Sequence, residues 1–177
     1  TSIGAIAVAM NALWQTDEIE YGLSHSGSKL LIADHERIIR ALPVTEKLGI
    51  AIISVRSELK NNSYISDFND LVAKAAGLDM PQIPLSPDDD ATIFYTSGST
   101  GHPKGAVSCH RNIISALFSW ELDLAARQLE SGLAAAKPTQ QAATLLAVPL
   151  FHATGSHAVY LQSYRAQRKI VSMYKWD

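Results

Sequence analysis

The chain has 177 residues, 47% of them apolar and 18% charged, with a mean hydropathy near zero; this balance sets it apart from fibrous, disordered and membrane-embedded chains. Fifteen basic residues against 17 acidic ones leave a formal charge of -2, so net charge offers no general attraction to nucleic acid or to anionic lipid, and any anion site must be local. The one cysteine, Cys109, has no internal disulfide partner, and its strand-like neighbours predict a small buried hydrophobe.

The first residues carry no basic stretch followed by an apolar core and a small-residue cleavage site, and no run of about 18 apolar residues occurs. A cytoplasmic protein without a transmembrane segment is expected. There is no Met at position 1, and an apolar strand is already under way by Gly4, so the chain is read as beginning inside a fold.

Short apolar runs alternate with stretches of helical period, the pattern of an α/β fold with a mostly parallel sheet flanked by helices. Residues 5–9 form the first predicted strand. Thr16 is expected to cap a helix with Asp17 and Glu18 in its first turn, ended by Gly27. A second strand covers residues 29–33, after which Asp34 opens a helix that Pro43 helps to stop. Residues 51–55 form the third strand and residues 56–64 a loop. Ser66 and Asp67 start a short helix with Phe68, Leu71, Val72 and Ala75 on one face.

Pro81, Pro84 and Pro87 mark a connection that ends in Asp88, Asp89 and Asp90, an acidic triplet read as a solvated turn before a strand over residues 91–96. A glycine-rich loop follows, then a strand over 106–109 and a long helix over about 111–129. Residues 130–142 are expected to be mobile. Strand 144–148, a loop at 149–154, a helix to about 163 and strand 169–173 complete the chain.

The most informative segment is Thr96-Ser97-Gly98-Ser99-Thr100-Gly101-His102-Pro103-Lys104-Gly105. Its glycines let backbone N–H groups converge on a ligand, its hydroxyls donate to phosphate oxygens, and Lys104 adds a mobile cation. It is not a Walker loop, because Lys104 precedes Gly105 and the segment joins two strand-like runs, not a strand and a helix. His102 is read as a solvent-facing loop residue and His110 as the start of the following helix.

Together with Tyr95, this segment resembles the phosphate-loop signature of the adenylate-forming (AMP-binding) superfamily, which includes acyl- and aryl-CoA ligases, luciferases and peptide-synthetase adenylation domains. The resemblance implies that Thr96, Ser97, Gly98, Ser99, Thr100, Gly101 and Lys104 hold the β- and γ-phosphates of ATP, with Thr100 meeting a magnesium ion, while a substrate carboxylate attacks the α-phosphate. Positioning and charge neutralisation are the work such a transfer asks of a protein.

A second segment, Pro149-Leu150-Phe151-His152-Ala153-Thr154-Gly155, follows a strand, where α/β sheets place ligands. It is similar to the segment lining the acid pocket in fatty-acid and aryl-acid CoA ligases. Peptide-synthetase domains place an Asp where His152 stands, and no carboxylate occurs between Leu145 and Val171. The implied substrate is therefore a carboxylic acid without an α-amine, with CoA as co-substrate and His152 as the candidate catalytic residue near the carboxylate or the pocket mouth. His157 is read as a plain helix residue, and a zinc pair with His152 lacks further ligands.

The resemblance covers nearly the whole chain and implies a partial N-terminal AMP-binding domain over 1–177. The family's later signatures, including the C-terminal domain with its catalytic lysine, do not occur here, so this polypeptide alone is expected to bind ATP weakly and to turn over nothing. Three alternatives stay open: an enzyme that loads a carrier protein, a non-catalytic nucleotide-binding module, and a chain that self-associates through cut sheet edges.

Overall fold

The computed structural model describes residues 1–59, 62–96, 101–132 and 139–173. They fall into two compact units, residues 10–83 and a second made of residues 1–9 with 84–177.

In the first of these, α1 (Thr16–Ser26) leads to β2 (Leu30–Asp34), α2 (His35–Leu48), β3 (Ala51–Val55), β4 (Ile65–Asp67) and α3 (Phe68–Lys74). The strands form a parallel sheet in the order β2-β3-β4. Helix α1 begins with a reciprocal cap between Gln15 and Glu18, so Thr16 is its first helical residue and not its cap. The Thr16 hydroxyl donates instead to the Arg40 carbonyl, 3.0 Å away. Gly27 closes the helix at φ 64°, in the left-handed region that suits glycine.

Helix α2 is capped by Asp34, whose Oδ1 accepts from the Arg37 N–H at 3.2 Å. It runs past Pro43 to Leu48, longer than predicted. Proline removes one backbone donor, but the apolar face continues through it: Ile38, Ala41, Val44 and Thr45 are all buried, and that burial outweighs one lost bond. With Trp14, Ile19, Leu23 and Ile52 they form the core of this unit. Asp67 caps α3 as expected, yet none of that helix is buried, so its apolar face is not covered within the described residues.

The other unit holds β1 (Ala7–Ala9), β5 (Asp90–Thr96), β6 (Lys104–Cys109), α4 (His110–Glu130), β7 (Ala143–Leu146), a π-helix π1 (Thr154–Leu161), α5 (Gln162–Arg165) and β8 (Lys169–Ser172). Strand β5 is central, parallel to β1 and antiparallel to β6; β7 and β8 form a separate parallel pair. Among the described residues the pairing is thus mostly parallel, but it is divided among three small sheets and includes one antiparallel hairpin that the sequence reading did not separate.

The acidic triplet is turn chemistry. Asp89 accepts from the Ser86 N–H at 2.8 Å, and Asp88 takes a two-pronged bond from Arg111, 2.7 and 2.8 Å. Cys109 is only partly buried, contrary to expectation. It sits at the strand-to-helix junction, where its backbone N–H and its thiol both donate to Asn112 Oδ1 at the start of α4. The expectation of mobility at 130–142 falls in part on residues 133–138, outside the described residues.

Candidate active site

The glycine-rich segment starts at the end of β5 and finishes on β6, the two arms of one hairpin. Thr96 pairs with Lys104 and Tyr95 with Gly105, and the Thr96 hydroxyl reaches the Lys104 carbonyl at 3.4 Å. Thr96, Gly101, His102 and Lys104 are all exposed. No ion pair among the described residues engages Lys104, so its cation is available to an incoming anion. The arms are extended strands and not a helix, as the phosphate-loop reading requires.

Two glycines here have local reasons. Gly101 adopts φ 95°, a conformation that residues with a Cβ rarely adopt. At Gly105 a Cβ would lie 3.0 Å from Ile93 Cγ2 and 3.6 Å from the Tyr95 ring, so a side chain there would push against the strand that opens the loop. Ser97, Gly98, Ser99 and Thr100, with the expected magnesium contact at Thr100, lie outside the described residues. Among the described residues no three His, Cys, Asp or Glu side chains cluster as metal ligands.

The second motif leaves β7 and turns at Pro149, whose carbonyl accepts from the His152 N–H at 3.1 Å. The His152 carbonyl then accepts from the Ser156 N–H at 2.9 Å as π1 begins. This holds the His152 side chain exposed beside the Phe151 ring, with centroids 6.0 Å apart. Gly155 is buried in the first turn of π1. A Cβ there would stand 2.3 Å from the Pro149 carbonyl oxygen and 2.7 Å from that of Val148, so the glycine of the motif lets the helix sit directly on the loop that carries His152.

Sequence reasoning treated His157 as an ordinary helix residue. Its ring meets the ring of Phe94 on β5 edge-on, at 5.0 Å and 65°, and burial holds its pKa below the ordinary histidine value. No local sequence pattern signals this contact, which joins residues far apart in the chain. The wide turn of π1 is visible where the Gln162 N–H bonds to the His157 carbonyl, and such turns are frequent at functional sites.

Downstream, the helix is fixed to α4. The Gln162 amide donates to the Leu117 carbonyl at 2.9 Å. Arg165 holds Glu121 through two bonds, 2.6 and 3.0 Å, and lies over the Phe118 ring, 4.7 Å from its centre.

Long-chain-fatty-acid–CoA ligase FadD13 of Mycobacterium tuberculosis is 29% identical over 180 residues, covering 99% of this chain and 31% of its own length. Among solved structures, o-succinylbenzoate CoA synthetase MenE of Bacillus subtilis, in complex with the acyl-adenylate intermediate OSB-AMP, superposes with a TM-score of 0.66 at 26% identity, over 97% of this chain and 37% of the other. The inhibitor-bound N-terminal domain of FACL13 from Mycobacterium tuberculosis gives a TM-score of 0.63 at 28% identity, over 98% and 39%. The chain spans about a third of the length of the curated relatives it matches. No helix among the described residues is long and apolar enough to cross a membrane. The family model described as AMP-binding enzyme matches residues 1–175, and the chain belongs to that family.

Proposed function

We propose that this chain supplies the polyphosphate-gripping loop and part of the acid-binding wall of an ATP-dependent, AMP-forming carboxylic acid:CoA ligase. A carboxylate oxygen attacks the α-phosphorus of ATP, acyl-AMP forms and pyrophosphate leaves; the CoA thiol then attacks the acyl carbonyl and AMP leaves. The observation that carries the reading is the exposed hairpin mouth, with Lys104 unengaged by any carboxylate among the described residues.

Lys104 and the hydroxyls of Thr96, Ser97, Ser99 and Thr100 neutralise the charge that builds on pyrophosphate as it departs. The backbone at Gly101 approaches the same oxygens without a side chain in the way, and Gly98 is expected to serve the same purpose. A magnesium ion, when bound with ATP, adds further charge neutralisation, with Thr100 as its expected protein contact. His152, at the exit from β7, orients the acid carboxylate toward the α-phosphorus.

The acid is one without an α-amine. Residues 145–171 contain no Asp or Glu to offset a buried ammonium, and Glu121, the carboxylate bonded to this segment, is already held by Arg165. The names of the relatives, which act on a long-chain fatty acid and on 2-succinylbenzoate, point in the same direction. ATP–pyrophosphate exchange by the full-length protein carrying this segment tests the reading. Exchange is expected with aliphatic or aryl acids and not with amino acids; exchange driven only by amino acids, or none with any acid, overturns it.

A further inference from the structure

The helix that begins at the acid motif touches the upstream arm of the phosphate hairpin and is bonded to the helix that follows the downstream arm. On the upstream arm, His157 of π1 meets Phe94 of β5, two residues before Thr96, where the strand ends. On the downstream arm, β6 continues without a break into α4. That helix is bonded to α5 through the Gln162 amide to the Leu117 carbonyl and through Arg165 to Glu121. At its own origin π1 is pressed onto the His152 loop, since Gly155 leaves no room for a Cβ against Pro149 and Val148. Phe94 is buried, so a change of ring at position 157 is felt by the strand and not absorbed by solvent.

We infer that His157 is a positioning residue for the phosphate loop: through its edge-on contact with Phe94 it fixes the end of β5 relative to the acid-motif helix, so that the two binding motifs are held in one register. Position 157 lies within π1, on the side of the helix that meets Phe94. A ring is what the contact needs, because an edge-on pair of rings has a preferred geometry that an aliphatic side chain lacks. Interacting groups displaced by about an ångström lose reaction rate even where they do no chemistry themselves. The inference rests on the ligase reading only for its kinetic consequence; the mechanical part stands on the fold.

Two measurements test it. Hydrogen exchange followed by mass spectrometry on the 177-residue chain compares the unchanged protein with His157→Leu and His157→Phe. In His157→Leu, residues 90–96 and 104–109 are expected to exchange about tenfold faster, with residues 51–55 unaltered, because local opening is confined to the elements that lose a contact. His157→Phe keeps the ring and is expected to exchange like the unchanged chain. If His157→Leu does not fold, His157→Gln replaces it with the same expectation. The second measurement is ATP–pyrophosphate exchange by the full-length protein, where His157→Leu should raise the KM for ATP about tenfold and leave that for the acid within about twofold.

Unaltered exchange of the two hairpin segments overturns the inference, as does a uniform rise across both units or a His157→Phe variant as damaged as His157→Leu. Absence of acid-dependent activity in the unchanged full-length protein overturns the ligase reading instead, and the hydrogen-exchange result then decides the positioning role alone.

Discussion

Gly155 and Pro149 approach so closely that a single added carbon at position 155 would lie 2.3 Å from the Pro149 carbonyl oxygen. The neighbour is backbone, fixed by the His152 N–H bonded to the same carbonyl, and does not swing aside as the tip of a long side chain would. Gly155→Ala is therefore expected to lower stability by about 1–3 kcal/mol, the usual cost of overpacking, and to displace the loop carrying His152. Urea denaturation of the chain checks the first effect; an unchanged midpoint contradicts the close approach.

Lys104 makes the opposite kind of prediction, because its side chain is exposed and its cation meets no carboxylate among the described residues. Lys104→Met should leave the unfolding midpoint within about 0.5 kcal/mol of the unchanged chain, as for most surface substitutions. The same change is expected to slow acid-dependent pyrophosphate exchange by about 100-fold, the scale of losing one preorganised group from a site where charge develops. Exchange kinetics on the full-length variant decide it. A variant that loses stability and activity together speaks for a structural lysine.

What the sequence disclosed and what it hid have a common physical origin. Strand β3, the Gly27 helix end and the Asp67 cap depend on local pattern and local chemistry, and each stands where it was read. Helix α2 passes through Pro43 because tertiary burial of Val44 and Thr45 outweighs a local breaker, which no window of sequence reports. Cys109 was misjudged for a similar reason: its neighbours look like strand interior, yet it stands at the strand's last position and bonds Asn112. Both loop motifs were picked out in the sequence, the first by its glycines, hydroxyls and lysine and the second through its family resemblance. The His157–Phe94 contact was not, since it joins residues far apart in the chain through a π-turn.

Thr92 on β5 is buried, and its hydroxyl has no hydrogen-bond partner within the described residues. The residue pairs across the sheet with Ala7 on one side and Ser108 on the other, so a β-branched shape suits it. Thr92→Val keeps that shape and removes a desolvated polar group, whose burial costs about 1–3 kcal/mol when unpaired. A rise in the urea midpoint is expected. A fall would mean that the hydroxyl is bonded in solution.

The pH dependence of stability should show a component that belongs to His157. Burial alone lowers its pKa in the fold, so the unfolded chain takes up a proton at higher pH than the folded one. Stability from keeping the ring neutral is complete above the unfolded value near 6.5 and is lost as pH falls through the depressed folded value. Two carboxylates behave differently. Glu121 is held below the ordinary carboxylate range chiefly by its hydrogen bonds from Arg165, and Asp88 likewise by Arg111. Their contributions persist above the ordinary carboxylate values and fade only at more acid pH, in a separate window. Urea midpoints taken in steps from pH 7.5 to 3 should therefore fall in two stages, and His157→Phe should remove the part of the upper stage due to this ring while leaving the lower stage in place. If the two proteins give parallel curves throughout the upper window, His157 is not held neutral by the fold.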